Sequence, residues 1–270
     1  MHRSLGGALL AALLSFPVLA AELRGALAQG GLVVGRAEPG ARALLDGEEL
    51  PVTADGWFVF GFGRDAPLDH SLIVIESDGR RTRHDIRLED REFPVEHVDG
   101  LPPRTVTIPP EEQARRAREA AMVARARAAT SDLRHWTGSF IRPAEGRISG
   151  VYGSQRILNG EPRSPHYGLD IAAPTGTEVV APAAGIVRLA EPDFLLEGGI
   201  IIIDHGFGVS STLFHLARVD VRVGDKVAQG DPIGAIGATG RASGPHVDWR
   251  VNWRDVRIDP ALLIAGETAP

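Results

Sequence analysis

Short apolar runs, separated by turns that contain glycine or proline, constrain this chain to a mainly β fold. The chain has 32 glycines and 19 prolines in 270 residues, and pairs such as Asp46-Gly47 and Asp78-Gly79 interrupt its first half. Runs of about four to eight residues between such turns are typical of strands in a sandwich or barrel. We therefore predict a small β-sandwich-like domain over residues 31–106. Its expected strands are residues 32–34, 57–62, 72–75 and 82–88.

A second β-rich unit is expected after residue 141. Gly and Pro again separate β-prone runs at short intervals in this part of the chain. The expected strands include residues 178–180, 185–189, 200–204 and 247–253. Two groups of strands, separated by a segment of different composition, predict two β units in one chain.

The segment between the two units has the composition of a helix. Two prolines, Pro109 and Pro110, precede a run dense in Ala, Arg and Glu, and two glutamates follow them at once. This order is typical of a helix start. We predict a helical linker over residues 109–134. Its arginines indicate either a basic patch for anionic polymers or a solvated helix whose charges pair with its own glutamates, Glu112 and Glu119.

The N-terminus has the features of a secretory signal. Arg3 precedes an apolar run at residues 5–19, and the residues before position 21 end in Val-Leu-Ala. This run is shorter than the roughly 20 residues that a membrane span needs. We therefore predict a signal peptide at residues 1–20, rather than a membrane anchor, and cleavage after Ala20. The mature protein is then expected to be exported, and periplasmic or associated with the cell envelope.

Composition restricts the chemistry of the chain. There is no cysteine, so a metal site must use histidine and carboxylate ligands. The formal net charge of -6 gives no electrostatic footprint for nucleic acid, which we exclude as a partner. Three of the nine histidines, His70, His84 and His97, are scattered over the first unit. We expect them to be surface or hydrogen-bonded residues and not metal ligands.

Two short segments of the second unit each place a histidine close to an aspartate: His166 with Asp170, and His246 with Asp248. In the second segment, strand alternation puts the even-numbered residues 246–252 on one face and the apolar odd-numbered residues on the other. Such a pair would let one residue bind a metal while the other works beside it. Each segment alone is also typical of a hydrogen-bonded His–Asp pair.

The order and surroundings of these segments resemble the lysostaphin/LytM-type zinc metallopeptidases, whose signature is H-x-x-x-D followed later by H-x-H. The resemblance spans about residues 145–262. The matching stretches are residues 166–177, 180–185, 203–206, 212–216, 223–227, 237–240 and 246–248. The chain is therefore identified as a member of this family in its C-terminal part, which implies a LytM-like antiparallel β catalytic domain over residues 141–264.

The resemblance also implies roles for individual residues. The implied zinc ligands are His166, Asp170 and Asp248, and the implied catalytic histidines are His215 and His246. The implied reaction is metal-assisted hydrolysis of an amide bond in peptidoglycan stem peptides or cross-links. His246 would be the general base, and His215 would stabilise the developing oxyanion or assist proton transfer. His205, in the Asp-His-Gly turn, matches neither role, and we expect it to be structural.

Asp248 departs from the family pattern, which has a histidine there. A carboxylate oxygen is a competent zinc ligand, but two carboxylates and one histidine would leave the metal site neutral rather than singly positive. We expect a weaker Lewis acid, a slower enzyme, or the use of another divalent ion. The alternative is a degenerate LytM-like regulator that binds the wall or activates a cell-wall amidase or another partner of the division machinery. The oligomeric state is left open.

Overall fold

The computed structural model describes residues 21–98, 110–158 and 160–264, and within them the fold is mainly β, as predicted. The predicted signal peptide lies outside the described residues. The first unit contains seven strands in two antiparallel sheets with the orders β1-β2-β5 and β4-β3-β6-β7. These strands are β1 (Glu22–Gly25), β2 (Leu32–Arg36), β3 (Arg42–Leu45), β4 (Glu48–Leu50), β5 (Trp57–Gly61), β6 (Asp69–Ile75) and β7 (Arg81–Arg87).

The two sheets of the first unit share a buried core. Phe58 and Phe60 on β5, and Leu72 and Val74 on β6, are almost fully inaccessible to solvent. Their i, i+2 spacing puts each pair on one face of its strand, so that the two sheets can bury these faces together. The predicted strands are present in this sandwich-like arrangement. Strand β1 precedes the expected domain start at residue 31.

A further strand, β8 (Val95–Val98), joins the second unit. It pairs in parallel with β10 (Gln155–Leu158), which forms an antiparallel pair with β11 (Glu161–Pro162). These last two strands lie in a segment that follows Gly153 and leads into the first predicted metal ligand. The final residues of the predicted first domain, 99–106, lie outside the described residues. The structure therefore links the two units through strand pairing as well as through the helix.

The predicted helix is present but shorter than expected. After a 3-10 turn at Pro110–Glu112, α1 (Gln113–Ala128) ends six residues before the predicted boundary at 134. The chain then docks on the turn between two strands of the second unit, because Thr130 Oγ1 accepts a hydrogen bond from the Gly208 amide and the Ser131 carbonyl accepts one from Phe207. Among the described residues, no helix is long and apolar enough to cross a membrane.

Helix α1 packs on the second unit and is not surrounded by solvent. Its buried carboxylate Glu119 accepts hydrogen bonds from the Leu195 amide and from Arg115. Arg116 forms an ion pair with Glu197 at 3.1 Å. The expected pairing with Glu119 is present, but other arginines pair across to the second unit. Burial of one helix face explains this difference from a solvated helix, one of the two alternatives that the sequence left open.

The second unit is built on a large antiparallel sheet whose central order is β17-β14-β15-β16-β19-β12-β9. Its strands are β9 (Arg147–Gly150), β12 (Leu169–Ala172), β13 (Glu178–Val180), β14 (Gly185–Phe194), β15 (Gly198–Gly206), β16 (Val209–Val219), β17 (Lys226–Val227), β18 (Pro232–Ile236), β19 (His246–Trp253) and β20 (Val256–Ile258). The side strand β13 pairs with β18, β18 with β16, and β20 with β19.

Strand β19 divides the sheet into a core face and a polar face, as its alternation predicts. Val247, Trp249 and Val251 are completely buried on the core face. The Trp249 ring stacks on Phe140 at 6.3 Å between centroids, and its Nε1 donates a hydrogen bond to Ser211 Oγ. The same core continues into the first unit. The polar face of β19 is therefore held in place by dense packing behind it.

Replacing Trp249 by alanine should lower the free energy of unfolding by about 3–5 kcal/mol, because the change removes a large buried ring and leaves a cavity. Urea unfolding of the purified protein measures this. The matched control is Val223→Ala, since Val223 is 63% exposed and its removal should change stability by less than about 0.5 kcal/mol. A loss below about 1 kcal/mol for Trp249→Ala would contradict the packing described here.

Candidate metal and catalytic site

The three predicted metal ligands meet where β12 and β19 pair. Asp170 on β12 lies directly opposite Asp248 on β19, and His166 precedes β12. His166 Nε2 is 3.1 Å from Asp170 Oδ1 and 3.6 Å from Asp248 Oδ2. One ligand atom from each residue lies within 4.8 Å of the other two. Pairing of two strands thus brings together residues that are about eighty positions apart in the sequence.

This arrangement fits a divalent metal ion. Tetrahedral zinc with ligands at about 2.0–2.2 Å places neighbouring ligand atoms about 3.3–3.6 Å apart, close to the two distances from His166 Nε2. One imidazole nitrogen and two carboxylate oxygens suit zinc and also harder divalent ions. Among the described residues, no other group of three histidine or carboxylate side chains is close enough to hold an ion. The histidines of the first unit take no part: His70, for example, pairs with Asp46 at 2.6 Å.

Backbone carbonyls orient all three histidines of the site. In each ring, Nδ1 lies within hydrogen-bonding distance of a carbonyl oxygen. The pairs are His166 with Val151 at 3.3 Å, His215 with Thr239 at 2.9 Å and His246 with Gly244 at 2.8 Å. A carbonyl oxygen only accepts, so Nδ1 must carry the hydrogen, and the neutral ring keeps its lone pair on Nε2. The three rings therefore present Nε2 as a metal ligand or a proton acceptor.

Arg250 is a site residue that our sequence reasoning put on the correct face but gave no role. Its guanidinium binds both carboxylate oxygens of Asp248, with Nη2 at 2.6 Å from Oδ2. Burial by itself raises the pKa of Asp248, but the charge and hydrogen bonds of Arg250, together with His166 and His215, hold it below its ordinary value. The sequence signal for this contact was an arginine two residues after Asp248, because strand alternation places the two side chains on the same face.

Arg250 also changes the charge balance that the sequence suggested. Two carboxylates and one neutral histidine would make the site neutral with a divalent ion bound. The half-buried guanidinium adds one positive charge beside Asp248, so that the group as a whole returns to the charge of a site with two histidines and one aspartate. The expected weakening of the Lewis acid is therefore smaller than the ligand set alone indicates.

The two predicted catalytic histidines lie together beside the metal ligands. The ring centroids of His215 and His246 are 4.8 Å apart, and His246 Nε2 is 3.9 Å from Asp170 Oδ1. His215 has a left-handed backbone conformation with φ of 64°, which is strained for a residue with a side chain and is typical of functional sites. Burial is the main influence that lowers its pKa, and nearby His246 acts in the same direction. His215 is therefore neutral at neutral pH.

His205 lies in the core, as its structural assignment predicts. Its Nδ1 bonds the Ala184 carbonyl at 2.7 Å and its Nε2 lies 2.8 Å from Ser211 Oγ. Full burial lowers its pKa to about 4. With both ring nitrogens engaged inside the protein, His205 has no atom left for a metal or a substrate.

Two glycines allow the carboxylates to sit where they do. A side chain at Gly168 would collide with the Asp248 carboxylate, and one at Gly150 would collide with the Asp170 carboxylate. At positions 150 and 168, only glycine, which has no side chain, lets the backbone pass this close to the two carboxylates. Sequence reasoning did not identify this constraint, because it depends on strand neighbours.

Comparison with known proteins places this chain in a family. The model of peptidase family M23 matches residues 164–260. A solved structure from Pseudomonas aeruginosa, described as a candidate M23 peptidase, is 31% identical, with a TM-score of 0.66 over 88% of this chain and 94% of that one. The chain belongs to peptidase family M23.

Curated relatives resemble the chain mainly in its second half. The peptidoglycan DD-endopeptidase ShyA of Vibrio cholerae is 34% identical over 127 residues, which are 46% of this chain and 29% of ShyA. The DD-carboxypeptidase/endopeptidase Mpg of Neisseria meningitidis is 37% identical over 98 residues, 36% of this chain and 22% of Mpg. The chain thus spans less than a third of the length of these two relatives.

Gly168→Ala should weaken zinc binding by at least about tenfold, because the added methyl group must displace the Asp248 carboxylate. Competition with a fluorescent zinc chelator measures the affinity without any assay of activity. Gly138→Ala is the matched control, since an added methyl group there meets nothing within 4 Å. Equal zinc affinity in the two variants would argue against Asp248 as a ligand.

Proposed function

We propose that the chain is an exported, zinc-dependent endopeptidase that hydrolyses peptide bonds in peptidoglycan stem peptides or cross-links. The observation that carries this proposal is the cluster of His166, Asp170 and Asp248 beside two histidines that present Nε2 as acceptors. The names of the relatives ShyA and Mpg support peptidoglycan as the substrate class. The signal sequence expected at residues 1–20 supports export to the periplasm or cell envelope.

In this proposal His166, Asp170 and Asp248 hold the ion. Zinc bound there would supply a Lewis acid for the scissile amide carbonyl. Arg250 keeps Asp248 ionised and fixes its orientation through two hydrogen-bonding nitrogens. This contact restricts the carboxylate to one plane, as a supporting group around a metal ligand should.

His246 is proposed as the general base. Its Nδ1–H is committed to the Gly244 carbonyl, so the lone pair on Nε2 is available to take a proton from the attacking water. The Nε2 atom also faces Asp170, whose negative charge stabilises the imidazolium that forms. In this proposal His246 lies next to the metal ligands and is not itself a ligand.

For His215, the structure favours proton transfer over direct stabilisation of an oxyanion. The neutral ring has its hydrogen on Nδ1, bonded to Thr239, so its Nε2 cannot donate until it has taken a proton. Burial disfavours the charged form. We therefore propose that His215 relays a proton with its neighbour His246, and donates only after receiving it.

A second candidate function is a regulator that binds the wall or activates a separate amidase, and one observation favours it. Arg250 Nη2 occupies the oxygen of Asp248 that is nearest to His166. A guanidinium and a metal ion would compete for that oxygen, and weak metal binding would leave a groove that binds but does not cut.

His246→Ala separates the two functions. Loss of a general base should lower the rate of release of new amino groups from purified peptidoglycan by about two to four orders of magnitude. Bound zinc per chain should stay at the wild-type level, because His246 is not proposed to hold the ion. His135→Ala is the control, since His135 is exposed on a short 3-10 helix away from the ligand set.

The regulator would give a different pattern. Wild-type protein supplied with zinc would release no amino groups by itself, and it would increase cleavage by an added amidase equally with and without the His246 side chain. That combination would replace the endopeptidase proposal.

A further inference from the structure

A cavity of about 830 Å³ lies beneath α1, on the polar face of β16 and β19. It begins beside the metal ligands, because two of its lining residues contact or adjoin Asp248. Arg250 binds the Asp248 carboxylate, and Phe214 is the residue of β16 that pairs with Asp248. From there the cavity runs along β19 toward the turn that leads into β20, so the polar face of the sheet continues from the metal ligands into this cavity.

The lining of the cavity is rich in arginine. It contains five arginines and three acidic residues: Arg116, Arg127, Arg250, Arg254, Arg257, Asp132, Glu197 and Asp255. Two of these arginines form ion pairs, Arg116 with Glu197 and Arg250 with Asp248. The other three form no ion pair with any residue that the structure describes. The cavity thus has an excess of positive charge in a partly enclosed space.

Arg127 lacks a hydrogen-bond partner among the described residues for part of its guanidinium group. Its Nε is buried and makes no hydrogen bond within the described part of the chain, and its Nη2 is 3.4 Å from Thr212 Oγ1. Burial, followed by the charges of Arg257 and Arg250, lowers the pKa of Arg127 to about 9. A buried donor without a hydrogen-bond partner is unfavourable, and this guanidinium forms no ion pair within the described residues. A ligand that brings a negative charge would remove this cost.

Arg257 extends the positive surface farther from the metal ligands. Its Nη1 donates a hydrogen bond to Asn252 Oδ1, four residues along β19 from Asp248. Arg127 meets Thr212, which pairs with Arg250, two residues from Asp248. At about 3.3 Å per strand residue, these contacts lie roughly 7–13 Å from the ligand set. An extended peptide covers that distance in about two to four residues.

The remaining lining suits an organic anion better than a hydrated inorganic one. Val52, Val123, Phe207 and Phe214 supply apolar surface around the guanidinium groups. A planar guanidinium matches a planar carboxylate through two parallel hydrogen bonds. Apolar contact with the chain that carries the carboxylate adds affinity without needing further polar partners.

We propose that this cavity binds a carboxylate of the peptide that is cleaved, about two to four residues from the scissile bond. The inference rests on the proposed function for the identity of the peptide, since it assigns the cavity to the same substrate. Arg127 and Arg257 hold the carboxylate, and the site thereby selects peptides with a free carboxyl group over their amides.

Binding tests this selection without relying on turnover. Soluble cross-linked muropeptides, and the same muropeptides with their carboxyl groups converted to methylamides, are titrated calorimetrically into zinc-loaded His246→Ala protein. The acid form should bind at least tenfold more tightly than the amide. Adding Arg127→Gln should remove that preference, whereas the control Arg118→Gln, on the exposed side of α1, should keep it. Muropeptides amidated only at the C-terminal carboxyl separate that group from side-chain carboxyls.

A structural role for Arg127 gives a different readout. If Arg127 serves the fold, Arg127→Gln lowers the melting temperature, whereas loss of a guanidinium that has no ion pair among the described residues leaves it unchanged or higher. Arg257→Gln provides a second variant if the first does not fold, because Arg257 is the other arginine that we assign to the carboxylate and it lines the same cavity; this change should reduce the preference for the acid form.

The outcomes separate this inference from the proposed function. Equal binding of acid and amide forms, with wild-type protein cleaving peptidoglycan normally, overturns the carboxylate site and leaves the endopeptidase intact. An Arg127-dependent preference in binding, with no cleavage by wild-type protein, supports the carboxylate site and rejects the endopeptidase.

Discussion

Two carboxylates that face each other across neighbouring strands are the constraint on which the site depends. Asp170 and Asp248 are paired positions of β12 and β19, and like charges placed directly opposite destabilise a sheet. The pair therefore needs positive charge. His166 lies against both carboxylates, Arg250 binds one of them, and a divalent cation fits between them. The tightly packed core behind β19, centred on Trp249, keeps the two strands from moving apart.

The arginine beside Asp248 gives a physical reason why a carboxylate can stand where the family usually has a histidine. A second carboxylate removes one unit of positive charge from the metal group, and the guanidinium of Arg250 restores it. If Asp248 holds an ion as we propose, the same contact limits the metal, because the ion and the guanidinium would share one carboxylate. Whether the site cuts or only binds therefore depends on the balance between Asp248, Arg250 and the ion, rather than on the ligand set alone.

Helix α1 ties the first unit to this chemistry. Its apolar side packs on Leu189, Phe194 and Ile200 of β14 and β15, and its arginines reach across to the same sheet. The helix therefore covers a cavity whose opposite wall is the polar face of β19. The Nε of Arg127, on this helix, is buried in that cavity.

The sequence by itself determined the local features of this protein. Strand positions and the two-sided pattern of β19 follow from spacing and order along the chain, which act over a few residues, whereas the proposed ligands came from the resemblance to a family. Only the tertiary structure decided which strands are neighbours. Asp170 opposite Asp248, Gly168 against a carboxylate and Arg127 without an ion pair in the described part of the chain all depend on long-range pairing. The helix ends early for the same reason, because docking on distant strands outweighs its local propensity.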